Sequence, residues 1–440
     1  MLAAIVAPLL IQTYTIENVG TLATDPTLPV RARSINNRGH VHGENDLDAP
    51  SGFGKTNGFF WDGVTQEKIT PLVPALSFAG GMNDLDQCVG YSSAGANKIH
   101  GILWENGNTQ DIYVGELDFS HANDINASGW VTGTNSKMVP GYFVSQFRSY
   151  LSDPQGSWTD LGTFGGGSSF ASALNDLNHV VGTARNAQEV TRGYFWTQAG
   201  GMVDVGTLGG ATAKPNDVNN LDQVVGSARD AGSNDRPFLW QQGTITDLGT
   251  LGGSSGDAKA INDHGDIVGS SKDTSDVDRA TLWTGGAVID LNGAIPAGTG
   301  WDLTGARDIN ELGEIAGTGY LNGNRRAYKL TPVLSQPRLS GLQPGIAGRT
   351  NRLFGLAFQP GASIFLIFGA TQGATPIPGC TSAVADIAAP IIFGLETADG
   401  DGRIEHPLVL PAAASGLSIL LQGVDATSCT VSELRPQTMH

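Results

Sequence analysis

The run Ile261-Asn262-Asp263-His264-Gly265-Asp266 sets two carboxylates beside an imidazole, a grouping that can hold a metal ion or move protons. Other stretches invite similar chemistry. Residues Ala49 to Thr56, APSGFGKT, have the outline of a phosphate loop. A phosphate loop needs a strand before it and a helix after it, whereas this segment runs into the apolar-aromatic Gly58–Trp61. The GTLGG turns at Gly206 and Gly249 could cradle an anion with backbone N–H groups, although sharp chain reversal alone also calls for those glycines. Thr397 to Pro407, TADGDGRIEHP, offers Asp399, Asp401 and Glu405 without the full ligand spacing of a calcium loop, so a hairpin turn is expected there. There is no GxSxG, no HExxH and no CxxC pair, and the eight histidines are scattered. The motifs therefore nominate no catalytic residue, no metal site and no cofactor.

The elements that would position these residues repeat. An apolar residue, Asn, two residues, a turn residue and a short apolar strand ending in Gly occur seven times, at Asn36, Asn83, Asn126, Asn175, Asn219, Asn262 and Asn310. Each Asn has a Gly seven positions later, Gly43 to Gly317, and Ala four positions earlier except for Pro215 in the fifth copy. Asn suits the first position of a tight turn, and the residue three later (Gly39, Asp86, Gly129, Asn178, Asp222, Gly265, Gly313) is of a type that tolerates the left-handed region. The unit is thus a hairpin between strands a and b. A variable loop leads to an apolar-aromatic strand c, such as GFFW, GYFW or PFLW, and then to strand d, as in TDLGTL. Four strands in a period of 43 to 49 residues describe a β-propeller blade.

The expected fold is all-β: a seven-bladed β-propeller over residues 14–333, closed by an N-terminal strand, and then a small β-sandwich. The chain opens on a d-like strand at Ile16–Leu22 with no a, b or c before it, and the seventh copy lacks its own d. Residues 334–345 read as a linker and 346–440 as the sandwich, within which Cys380 and Cys429 can pair. Cys88 falls in strand b of the second blade, where a buried free thiol is expected. Residues 1–13 are apolar and too short to span a bilayer; they are either a remnant export signal or the leader of the first strand. A net charge of −17 disfavours nucleic acid and anionic lipid surfaces as partners. No apolar run is long enough for a transmembrane helix.

The DLGTLGG…A…IN..G.VVG pattern with its [A/P]FLW strand resembles the bacterial HAF-type extracellular repeats across the propeller, most strongly over Ser168–Leu291. The position of the name-giving histidine holds Asn57, His100, Pro140, Arg192, Arg236, Arg279 and Arg326, so only His100 keeps the type. The resemblance implies an exported bacterial protein and carries no residue-level activity. The tail looks like a Cys-containing β module found at the C-termini of secreted bacterial proteins.

Within a propeller, the repeated tryptophans Trp61, Trp104, Trp196, Trp240 and Trp283 belong between blades. Trp130, Trp158 and Trp301 fall outside that register and are candidate platforms for a ligand. Recognition belongs on the variable b–c loops. Four of these end in Arg192, Arg236, Arg279 and Arg326, which either form an anion-binding arc or pair with loop carboxylates such as Asp230, Asp235, Asp276 and Asp278. The turn carrying Asp263, His264 and Asp266 has Asn37, Arg38 and His40 in one relative and Ala127, Ser128 and Trp130 in another, the variability of a solvated hairpin tip. The leading expectation is a monomeric, non-enzymatic binding or adhesion module for extracellular glycan or protein, at the cell surface, outside the cell or in the periplasm. The alternatives are a propeller glycoside hydrolase or polysaccharide lyase, and a structural surface protein with no specific ligand.

Overall fold

The computed structural model describes residues 12–47, 55–95, 97–115, 119–137, 146–345, 350–377, 380, 384–425 and 428–439. Most of the phosphate-loop-like segment and of the apolar leader lies outside these residues. Seven four-stranded antiparallel sheets succeed one another, and no α-helix occurs among the described residues. Six sheets use consecutive strands; the first joins Val30–Ile35, Val41–Leu47, Lys55–Trp61 and Gln66–Lys68. The seventh joins Trp301–Ile309, Ile315–Leu321 and Asn324–Pro332 to Tyr14–Asn18 from the start of the chain. Tyr14 opposes Pro332 and Asn18 opposes Tyr328, so the N-terminal strand completes the last blade and leaves no open seam.

The sequence signature has a backbone cause. In every blade strand a bulges between the Ala (or Pro) and the residues just before the Asn, as between Ala122 and Asp124 or Ala306 and Asp308. A bulge bends the strand and re-aims a side chain. It also lays a strand-a carbonyl over strand b, where only Gly fits: a Cβ on Gly90 would lie 2.0 Å from the Phe78 carbonyl oxygen, and one on Gly133 1.9 Å from that of His121. The turn residues are left-handed as expected, with φ of 62° at Asp86, 63° at Asn178 and 57° at Asp222.

The asparagines do more than cap turns. Each Oδ1 accepts the backbone N–H groups two and four residues ahead. Each Nδ2 donates to the backbone carbonyl of the next blade's Asn: Asn36 to Asn83, onward through Asn126, Asn175, Asn219, Asn262 and Asn310, and back to Asn36. The donor–acceptor distances are 2.8–3.1 Å, and the asparagines are buried. Apolar packing completes the joints between blades. Phe195 meets Trp240 at 5.3 Å, in a cluster with Ala213, Val224 and Phe238. Trp61, Trp104, Trp196, Trp240 and Trp283 are all buried, as their register requires.

The C-terminal residues form three further sheets, two of which face one core. Arg338–Gln343, Thr350–Leu356 and Ile404–Val409 make one; Ile391–Thr397, Ser363–Gly369, Ser418–Asp425 and Thr430–Val431 make the other, with Arg435–Thr438 also paired to Ser418–Asp425, and Gln372–Pro376 pairs with Val384–Ile387 in the third. Leu339, Leu353, Ile364, Leu366 and Leu421 fill the space between the first two. The segment read as a linker thus contains a strand, because Leu339 and Leu342 supply core side chains. Cys380 and Cys429 form a disulfide, and Cys88 is a buried free thiol. Thr397–Pro407 is not the expected hairpin, because its flanking strands lie in different sheets; it is a turn between the two sheets in which the Asp399 carboxylate accepts the N–H groups of Asp401 and Arg403, while Glu405 pairs with arginines.

This module sits on the propeller face that carries the a–b hairpin tips. Arg38 grips Glu405 with two hydrogen bonds of 3.0 Å, Arg435 reaches Glu311 at 3.2 Å, and Arg403 pairs with Glu314. Leu312 packs with Phe354 and Leu356. Gln343 lines the channel behind the asparagine ring.

Candidate functional site

The central channel is built by one stretch of strand a, read seven times. Descending from the b–c loop face, the residue three before each Asn sits in the bulge, and the next two positions lead to the asparagine ring. Two cavities succeed each other along the channel. The inner one, of about 190 Å³, is lined by six of the seven ring asparagines, by the residues that follow all seven, and by Gln343. The outer one, of about 330 Å³, lies toward the b–c loops and is lined by Arg33, Tyr91, Asn123, Asp124, Asn216, Asp217, Lys259, Arg307 and Asp308, among others.

The residues following the ring asparagines form a second circle. The backbone N–H of Asn37 donates to Asp84, that of Ala127 to Asp176, Asp176 to Asn220, Asn220 to Asp263, Asp263 to Glu311, and Glu311 to Asn37. Ala127 has no acceptor and breaks the circle. Asp263 is therefore a channel residue, which corrects the reading of its turn as a solvated tip. What six of the seven copies share at this position is an acceptor oxygen on the side chain, a property of Asn, Asp and Glu alike. His264 approaches Glu311 at 3.5 Å, and burial pushes its imidazole down to about 4.

Three aspartates one step above the ring clasp alternate joints. Asp124 accepts from Ile125 and Leu174, Asp217 from Val218 and Ile261, and Asp308 from Ile309, Ile35 and the Ser34 hydroxyl. Burial raises all of these channel carboxyls, reinforced at several by a neighbouring carboxylate. Asp84, Asp176, Asp263 and Asp308 are pushed up to about 6, Asp217 and Glu311 to about 7, and Asp124 well above the usual range.

The bulge position carries the individuality of the channel. In blade order it holds Arg33, Gly80, Asn123, Ser172, Asn216, Lys259 and Arg307, so blades six, seven and one place three cations side by side. Arg33 is held by Glu44 at 3.1 Å, and Lys259 pairs with Asp257. Arg307 has no carboxylate within ion-pair distance among the described residues. Burial lowers its guanidinium affinity for protons, and the positive charges of Arg33 and Arg325 lower it further against the opposing pull of Asp257 and Glu44.

The opposite arc is aromatic. Phe78, His121 and Phe170 stand two residues before the bulge in blades two, three and four. Tyr91 stacks on Phe78 at 4.7 Å and on His121 at 3.8 Å; Phe119 meets His121 at 4.6 Å and Phe147 at 5.2 Å; Phe147 meets Phe170 at 5.5 Å. Phe170 is 42% exposed.

The sequence-nominated residues are engaged elsewhere. Arg192 pairs with Asp204 at 2.8 Å and Arg236 with Asp247 at 3.0 Å, both on outer strands. Arg279 bridges Asp273 and Asp302, and buried Arg326 donates to the Leu28 and Arg325 carbonyls. His100 bonds to Asp111 at 2.8 Å and stacks on Tyr113. Trp130, Trp158 and Trp301 are half-buried and pack against blade cores. The channel cations escaped sequence reasoning because a bulge cannot be seen in residue alternation. The sole available signal was the offset of three from the repeated Asn.

No family model matches the chain, so its likeness to the HAF-type repeats rests on the residues alone. No curated protein matches it either. Among solved structures it is similar to TolB from Acinetobacter baumannii (12% identity, TM-score 0.38, 66% of this chain and 63% of that one). It is also similar to a gluconolactonase from Xanthomonas campestris (11% identity, TM-score 0.31, 72% of this chain and 90% of that one). This chain thus spans less than two thirds of the TolB structure. The fold is a β-propeller. No helix among the described residues is long and apolar enough to cross a membrane.

Proposed function

We propose that the chain is an exported, non-enzymatic binding module that takes an anionic ligand in the outer cavity of its central channel. The observation that carries this reading is the outer cavity lined together by Arg33, Lys259 and Arg307, of which Arg307 alone has no ion pair among the described residues. The like charge of Arg33 opposes that of Arg307, while Glu44 and Asp257, already paired with Arg33 and Lys259, act on it from beyond ion-pair distance, so a bound carboxylate or sulfate supplies the direct partner and accepts its hydrogen bonds. The disulfide and the resemblance to the HAF-type repeats support an oxidising location outside the cytoplasm.

A catalytic reading has one observation in its favour: Asp124, Asp217 and Asp308 line the same cavity with raised carboxyl values. Their oxygens, however, are occupied by backbone N–H groups of two blades, so they serve as clasps. The test is calorimetric titration with a uronic acid monosaccharide, with analysis for products. Binding that falls about tenfold or more in Arg307→Ala, without turnover, supports the module; a charge-assisted hydrogen bond contributes about 1.5–3 kcal/mol. Equal affinity in the variant refutes the site, and turnover refutes the non-enzymatic reading.

A further inference from the structure

We infer that the ligand is an acidic polysaccharide whose chain runs from the cationic arc across the aromatic arc of blades two to four; this rests on the anion-binding reading above. The two arcs face each other over one channel mouth. Cations from blades six, seven and one line the outer cavity, and Tyr91 lines it from blade two. At the bulge position of blade two stands Gly80, where a Cβ would lie 2.7 Å from the carbonyl oxygens of Ala122 and Asn123, so no side chain can stand between the cavity and its aromatic wall. From Tyr91 the rings continue without a gap through His121, Phe119 and Phe147 to Phe170. The rings of Phe119, just before strand a, and of His121 and Phe170 within it precede the bulge, on the side of the b–c loops. The apolar row therefore leads outward from the cations instead of down toward the asparagine ring.

A uronic acid residue has a carboxylate at one edge of a ring whose C–H face is apolar. Seated here, the carboxylate meets Arg307 and Arg33 while the next sugars pass over the aromatic row, with the exposed Phe170 as its outer platform. A small anion uses the first part of this surface and none of the second. The rim adds a matching asymmetry: Lys214, at the position of Phe170 in blade five, is exposed and has no ion pair among the described residues. The protein's overall charge of −17 opposes a polyanion everywhere except over such a local basic mouth, so engagement is confined to the mouth and is weakened by salt.

The experiment compares galacturonate, a galacturonate tetramer, an uncharged glucose tetramer and a nucleoside monophosphate on the wild type, Arg307→Ala and Phe170→Ala. The expected result is a galacturonate tetramer binding at least tenfold tighter than the monomer. Phe170→Ala should remove most of that gain and leave monomer affinity unchanged, and Arg307→Ala should weaken both. If monomer and tetramer bind equally, the extended site is wrong while the anion site stands. If Arg307→Ala changes neither, the anion site itself is wrong. Tighter binding of the nucleotide or of the glucose tetramer than of the galacturonate tetramer overturns the ligand class. Folding of each variant is checked by its unfolding midpoint, and exposed Phe170 is not expected to shift it.

Discussion

Replacing Asn262 with Ala should destabilise the protein by about 3–5 kcal/mol, far more than a turn-capping residue ordinarily contributes. Asn262 is 2% exposed. Its Oδ1 serves the N–H groups of His264 and Asp266 at 3.1 and 3.0 Å, and its Nδ2 reaches the Asn310 carbonyl at 3.1 Å. Ala leaves two partly buried donors without that acceptor, at about 1–2 kcal/mol each, and removes an inter-blade bond of about 1 kcal/mol. The Asn310 carbonyl keeps the Gly313 N–H, so its loss is partial. The molecule contains its own control. Asn186 makes the same local turn, accepting from Gln188 and Val190 at 3.0 Å, on an exposed b–c loop with no side-chain bond to another blade among the described residues. Asn186→Ala should cost about 1 kcal/mol, since water replaces the lost acceptor. Equilibrium denaturation in urea, followed by the fluorescence of the buried tryptophans, measures both. A cost at Asn262 no larger than at Asn186 would refute the ring as a structural clasp.

Further outcomes follow from the same contacts. Stability should rise as pH falls from 7 to 5. The channel carboxyls at about 6 and 7 lie above their unfolded values of about 4, so the native state holds extra protons in this window and loses that stabilisation as pH rises through 6 and 7. Below about pH 4.5 the trend reverses, because Glu314, Glu405 and Asp86 have lowered values and lose their ion pairs on protonation; a thermal midpoint that climbs steadily from pH 5 to 8 would contradict this. Glu314→Gln should cost about 3–5 kcal/mol and loosen the C-terminal module, since it takes the ion-pair partner from Arg403 and leaves the buried Lys329 only Glu17 at 3.8 Å; limited proteolysis of the module reads this out. Cys380→Ser should destabilise the module by about 4 kcal/mol, from a closed loop with a sequence separation of 49, and leave the propeller's own transition unmoved in calorimetry.

The blade repeat and its closure were legible because both follow from local backbone needs: an Asn before a left-handed residue, a Gly beneath a bulge, and an unpartnered d strand at the chain start. The asparagine ring was half legible. The turn explains one face of each side chain, but its Nδ2 partner lies 43 to 49 residues onward, or 274 back, and becomes a neighbour only once the blades are arranged in a circle. Asp263 was hidden by its own variability, since Asn37, Asp84, Asp176 and Glu311 fill the same role with different side chains. The arginines of the b–c loops were visible but their partners were not: Asp204 and Asp247 stand on the outer strands, and Asp302 belongs to the next blade. Arg33, Lys259 and Arg307 gather only because blades six, seven and one are adjacent in the closed ring. The module's first strand was lost to a Pro- and Gly-flanked segment whose Leu339 and Leu342 resembled loop residues until a second sheet covered them.

The most direct test of the central claim is a crystal structure of the protein soaked with galacturonate near pH 6. Density for the carboxylate between Arg33, Arg307 and Lys259, in the outer channel cavity, is the predicted result. Ligand density confined to the b–c loop arginines, or a channel mouth that stays free of ligand at a concentration that saturates binding in solution, would contradict it.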